Sequence, residues 1–196
     1  MSPTHDPTRR KVMAALASLP LLGASPASLG ERKAPGNSKI LVAYFSRTGN
    51  TKVVAGLLAR ARRADVFEIQ PAVAYPEDYL ATVEQARQER DGDFEPALAA
   101  VVPNMADYHT VFLGFPIWGE TAPPVIRSFL SAHDLVGKNV VPFITHGGYG
   151  AGNSQGVLAC HAPKAVLHKS FEMQADQERK TMEQVNGWLG DLKLPA

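Results

Sequence analysis

The sequence of 196 residues holds a single cysteine, Cys160, and no surplus of either charge. One cysteine cannot close an intramolecular disulfide, and it cannot supply the two or more thiolates of a cysteine-based metal site, so the fold has to stand on its apolar core. Twenty Lys and Arg set against nineteen Asp and Glu leave +1 at pH 7, which excludes a nucleic-acid binder that relies on a wide phosphate-neutralising surface. A stable membrane span is also missing: the apolar run Val12 to Gly23 is interrupted by Pro20 and falls short of the roughly 20 residues a spanning helix needs. Aromatics at 8%, Gly 16 and Pro 15 exclude collagen-like repetition and disorder. What is present, 45% hydrophobic residues, suffices for one packed core and not for two comfortable domains.

The first 38 residues differ in character from the rest. A polar start and Thr8-Arg9-Arg10-Lys11 precede the apolar run, and Ala24-Ser25-Pro26-Ala27 offers small residues for cleavage, so residues 1–27 read as an export signal and 28–38 as a linker. Adjacent arginines before a modest apolar run resemble the twin-arginine signal of bacteria, which implies passage of a folded protein through the twin-arginine export machinery to the periplasm. Removing residues 1–27 takes three basic and one acidic residue from 20 and 19, leaving 17 and 18 and a net charge of −1.

From Lys39 strand-like and helix-like segments alternate. Ile40 to Phe45 is an apolar, β-rich run suited to a strand buried on both faces, followed by a helix over Thr51 to Arg63. Further strands are expected at Asp65 to Gln70, Thr110 to Phe115, Asn139 to Thr145 and Ala165 to Phe171. Helices are expected at about Pro76 to Arg90, Val125 to Ser131, Ser154 to Cys160 and Ala175 to Leu192, the last with Met182, Val185, Trp188, Leu189 and Leu192 on one stripe of ordinary core packing. Five β-α units with right-handed crossovers give a parallel sheet covered by helices on both faces, within one domain over 39–196. Cys160 then reads as a small buried residue.

In such a sheet, ligands bind outside the carboxyl ends of the strands. Three unusual loops lie there. Ser46-Arg47-Thr48-Gly49-Asn50-Thr51 combines hydroxyls, an amide and a glycine just before a helix; it reads either as a phosphate cradle or as a helix-capping turn. Pro116-Ile117-Trp118-Gly119 follows the third strand, and Thr145-His146-Gly147-Gly148-Tyr149-Gly150 follows the fourth.

The run Ile40 to Thr51 resembles the signature of flavodoxins. Gly114-Phe115-Pro116-Ile117-Trp118-Gly119 with Ala122-Pro123-Pro124, Glu68-Ile69-Gln70-Pro71 with Tyr75-Pro76-Glu77-Asp78-Tyr79, and the loop Thr145 to Ser154 are similar to one flavodoxin-like subfamily. The resemblance covers about Lys39 to Leu194 and implies an α/β, flavodoxin-like fold, a five-stranded parallel sheet of order 2-1-3-4-5, with non-covalent FMN. It implies that Ser46, Arg47, Thr48, Gly49, Asn50 and Thr51 bind the FMN phosphate, and that Pro116 to Gly119 and Thr145 to Gly150 flank the isoalloxazine. Trp118 is the candidate ring wall and Tyr149 a second one. Gly119, Gly147, Gly148 and Gly150 either let backbone approach the flavin or serve plain turns, and His146 makes a local hydrogen bond or donates to the flavin.

No side chain has to act as nucleophile or general base. Gly152-Asn153-Ser154-Gln155-Gly156 fits a hydrolase elbow in spelling only, because the serine does not directly follow a strand and no acid-then-histidine order follows it. Two functions stay open: an electron carrier between protein partners, or an FMN-dependent oxidoreductase reducing a small acceptor such as a quinone. Flavodoxin carriers are usually strongly acidic, so a mature charge near −1 departs from the family pattern.

Overall fold

The computed structural model describes residues 40–174 and 178–192; the expected export segment and linker lie outside the described residues. The elements are β1 (Ile40–Tyr44), α1 (Asn50–Arg62), β2 (Asp65–Glu68), α2 (Tyr79–Asp91), β3 (Thr110–Pro116), α3 (Pro124–Ser131), β4 (Asn139–His146), α4 (Ser154–His161), β5 (Val166–Leu167), β6 (Phe171–Gln174) and α5 (Glu178–Asp191). All strand pairings are parallel, in the order β2-β1-β3-β4-β5, with β6 also beside β4. This is the α/β flavodoxin-like sheet of order 2-1-3-4-5.

The apolar runs of β1, β3 and β4 are buried on both faces because helices cover both. Leu41, Ala43, Val111, Leu113 and Phe115 join Val125, Ile126 and Phe129 of α3 and Leu158 of α4 in one cluster. Val42, Tyr44, Phe112, Val141 and Phe143 meet Val54, Ala55 and Leu58 of α1 and Val185 of α5 in the other. Trp188, Leu189 and Leu192 pack against that second cluster as the stripe requires, whereas the Met182 side chain lies outside the description. Trp188 stacks on Phe171 at 4.7 Å.

Two expectations need correction. The fifth strand is not continuous: His168, Lys169 and Ser170 separate β5 from β6. Leu167 is the partner of Val140 and Phe171 that of Phe143, so four residue steps on the edge oppose three on β4. That is a one-residue bulge, and it faces Pro142, which has no N–H to offer a neighbouring strand. Cys160 is exposed, not buried, because α4 turns that position away from the sheet while Leu158 is fully buried.

Residues 69–109 form a long excursion between β2 and β3. A short antiparallel ribbon opens it, with the N–H of Ala72 donating to Ala97 (2.7 Å) and that of Ala99 to Gln70 (2.8 Å). It delivers α2, whose first turn is capped by Asp78 accepting the Ala81 N–H at 2.8 Å.

Candidate functional site

The loop after β1 is built as a tight helix entrance. Ser46 Oγ accepts the N–H of Gly49 (3.1 Å) and of Lys52 (3.3 Å), so its hydroxyl caps α1 from inside the loop. Gly49 stands at the N-cap with φ 95°, and a Cβ placed there would meet nothing within 4 Å. The N–H groups of Asn50 and Thr51 have no protein acceptor among the described residues, as expected of a first helical turn. These amides and the positive end of the helix dipole form a seat for an anion. Thr51 itself is committed elsewhere: its hydroxyl lies 2.9 Å from that of Thr145, both buried, tying α1 to the end of β4.

The loop after β3 is a two-residue primed turn. Trp118 and Thr121 exchange backbone hydrogen bonds of 3.0 and 3.3 Å around Gly119 (φ 56°) and Glu120 (φ 65°), both left-handed. The turn holds Trp118 half-buried, edge-on to Phe45 (centroids 5.2 Å, 83°) and to Tyr75 (4.8 Å, 84°). Such aromatic pairs contribute about 0.5–1.5 kcal/mol each beyond their burial.

A cavity of about 380 Å³ runs between these two loops. Ser46, Arg47, Thr48 and Thr51 line one end, and Pro116, Ile117, Trp118 and Gly119 the other. Its remaining wall is α2, through Tyr79, Thr82, Val83, Ala86, Arg87 and Arg90. Five of these fall at i, i+3, i+4, i+7 and i+11, one helix face, and that spacing is the signal the sequence carries for this wall. Gly49 and Asn50 do not line the cavity directly.

The loop after β4 stands apart from it. Thr145 is buried under Thr51, and its carbonyl accepts the Ile117 N–H at 2.8 Å, which fixes the spacing of the second and third loops. His146 Nδ1 accepts the N–H of Gly148 at 3.1 Å. Gly148 (φ 122°) and Gly150 (φ 74°) are left-handed, Gly147 has open space around it, and Tyr149 is 88% exposed. Glu172 of β6 accepts the Ala151 N–H at 3.2 Å and backs the loop.

The cavity's cations are not equivalent. Arg87 pairs with Glu84 (2.8 Å) and Asp91 (3.3 Å), and this guanidinium holds the Glu84 carboxyl down at about 2. Arg90 pairs with Asp91 at 3.1 Å. Arg47 donates to the backbone carbonyl of Glu77 and has no carboxylate partner among the described residues, so its charge is uncompensated at the anion-seat end. Together these groups suit a ligand with an anionic tail at the Ser46–Thr51 end and a flat, largely apolar body against Ile117, Val83 and Trp118.

The flavodoxin family model matches residues 39–192. The chain belongs to the flavodoxin family. A candidate flavoprotein of Bacteroides eggerthii is 34% identical over 81% of this chain and 99% of its own, with a TM-score of 0.69. One from Bacteroides uniformis is 32% identical over 76% and 98%, with a TM-score of 0.67. The flavoprotein of Lactobacillus acidophilus in complex with FMN, at 18% identity over 74% and 99% and a TM-score of 0.60, shares the flavodoxin fold. No curated protein matches the chain.

Proposed function

We propose that this flavodoxin-family protein binds FMN without a covalent link and acts as an electron carrier after export from the cytoplasm. The observation that carries the reading is the cavity itself, with free helix amides and an uncompensated Arg47 at one end and Trp118 with Ile117 at the other. FMN has the matching polarity: a dianionic phosphate tail and a flat ring system. Bound there, it supplies the one- and two-electron exchange that side chains cannot. Ser46, Arg47, Thr48, Gly49, Asn50 and Thr51 then hold the phosphate, through amides as well as hydroxyls. Pro116, Ile117, Trp118 and Gly119 cover the ring on one side, and α2 shields it from water through Val83 and Ala86. The third loop, Thr145 to Gly150, lies beyond the cavity and is assigned to the exposed ring edge.

Membership of the flavodoxin family favours a carrier over an enzyme with its own substrate. About 380 Å³ lies within the roughly 300–1,000 Å³ of ligand sites, room for one flavin-sized cofactor. The electron donor and acceptor are accordingly redox proteins meeting the cavity mouth. Steady turnover of NAD(P)H and quinone by the purified protein alone would instead establish the oxidoreductase reading.

The visible spectrum of the purified protein tests the cofactor: a flavin band is expected, and a colourless protein that takes up no FMN refutes it. Ser46→Ala with Thr48→Val should weaken FMN at least about ten-fold, a loss of about 1.4 kcal/mol, because hydrogen bonds to a charged group are the stronger kind. Riboflavin, lacking the phosphate, should lose less than about two-fold by the same titration. Equal losses contradict the phosphate assignment.

Export rests on residues 1–27. Arg9→Lys with Arg10→Lys should leave the precursor in the cytoplasm if the twin-arginine machinery moves it, as cell fractionation would read; unchanged export removes that route.

A further inference from the structure

The backbone of Trp118 is fixed by its turn with Thr121, but its indole ring is held by packing alone. Its indole N–H has no hydrogen-bond partner among the described residues, and its angle follows from edge-on packing against Phe45 and Tyr75. Tyr75, in turn, is fixed by a bond that ring packing does not explain: its hydroxyl donates to Glu89 Oε2 at 2.7 Å. Glu89 is only 8% exposed. Its other oxygen accepts from Gln85 Nε2 at 2.8 Å, and no cation pairs with it among the described residues. Burying a carboxylate against two neutral donors is costly, and an apolar side chain would fill the same space with less penalty.

The placement suggests what that arrangement does. Glu89 sits on α2 at the edge of the face that brings Thr82, Ala86 and Arg90 to the cavity, seven residues after Thr82 and three after Ala86. Neither Glu89 nor Tyr75 lines the cavity, yet the bond between them connects the α2 wall to the Trp118 wall at the cavity's edge. We infer that Tyr75, anchored by Glu89, is a positioning residue that sets the angle of Trp118 and its distance from α2, so that a flat ring is gripped between the two walls. The inference rests on the FMN reading, and it concerns the ring end of the ligand and not the phosphate.

Four variants separate the anchor from the ring. Tyr75→Leu removes both and should weaken FMN and riboflavin by the same factor, about 5–20-fold, with a rise in the residual fluorescence of bound flavin as Trp118 loses its fixed angle. Tyr75→Phe keeps the ring but not the anchor, and Glu89→Ala removes the acceptor; each should cost about 2–5-fold in affinity for both ligands. Glu89→Gln retains a carbonyl that accepts from Tyr75 and should stay within about two-fold of the parent. A fall in melting temperature with affinity and flavin fluorescence unchanged in Tyr75→Phe overturns the inference and leaves a structural role only. So does an equal loss in Glu89→Gln and Glu89→Ala. Should Tyr75→Leu fail to fold, the Tyr75→Phe and Glu89 pair decides alone. Failure of the parent protein to bind FMN refutes the proposed function itself, whereas normal parental binding with unaltered variants refutes only the positioning role.

Discussion

Gly152→Ala is expected to destabilise the protein by about 2–5 kcal/mol, the sum of a left-handed strain term and an overpacking term. Gly152 sits at φ 55°, and a Cβ added there would lie 1.9 Å from the carbonyl oxygen of Glu120 and 2.6 Å from its carbon. These are backbone atoms, so no side chain can swing aside to make room. The same carbonyl accepts the N–H of Asn153 at 3.0 Å, which makes the contact a deliberate seam between the loops after β3 and β4. Glu120 is already a non-glycine residue in left-handed conformation, and with Gly119 it forms the turn that aims Trp118. A push at Glu120 is therefore passed to Trp118 within two residues. Chemical denaturation should show a lowered midpoint, and FMN affinity should fall at least about ten-fold. A parental midpoint would mean that the seam yields without cost.

Which parts of this could be read from the sequence follows from how strongly each residue constrains its surroundings. β1, β3 and β4 are apolar nearly without interruption, a pattern few structures besides a doubly covered parallel strand satisfy, and the sheet order follows with the family resemblance. The three loops at the strand ends stand out because their glycines, hydroxyls and lone tryptophan break that pattern. The bulge between β5 and β6 had a visible cause in Pro142, but its effect falls on a different strand some 25 positions later, and single-strand periodicity does not carry information across a sheet. The α2 wall was harder still. Tyr79 and Val83 are substantially exposed, at 67% and 46%, and so is their apolar neighbour Leu80, at 72%, so the helix has no single apolar face to mark which side meets the cavity. Cys160 is exposed against the expectation from its residue type, because type is a weak guide to which way a position on a short helix faces.

Gly114→Ala should be the most damaging single-methyl change within the sheet, costing about 3 kcal/mol or more, at the upper end of overpacking effects. Gly114 lies on β3 between Tyr44 of β1 and Phe143 of β4. A Cβ there would fall 2.0–2.7 Å from three atoms of the Phe143 ring, which fills the space above the glycine and is itself fully buried. The ring cannot retreat, because Val42, Phe112 and Val141 occupy the same cluster beneath α1 and α5. β3 and β4 must therefore separate or shift, and they carry Pro116 and Thr145, the paired residues from which the second and third loops spring. Loss of FMN affinity should thus accompany loss of stability, although Gly114 touches no part of the cavity. A double-mutant cycle isolates the cause. Phe143→Leu alone should cost about 1–3 kcal/mol for its lost volume, and combined with Gly114→Ala it should cost at least about 1 kcal/mol less than the two single changes added, since the smaller side chain leaves room for the new methyl. Recovery of FMN affinity in the double variant would show that the loop spacing is set by this contact between strands; strict additivity in denaturation would show that β3 and β4 yield independently and that the loops take their spacing from the Thr51–Thr145 bond above them.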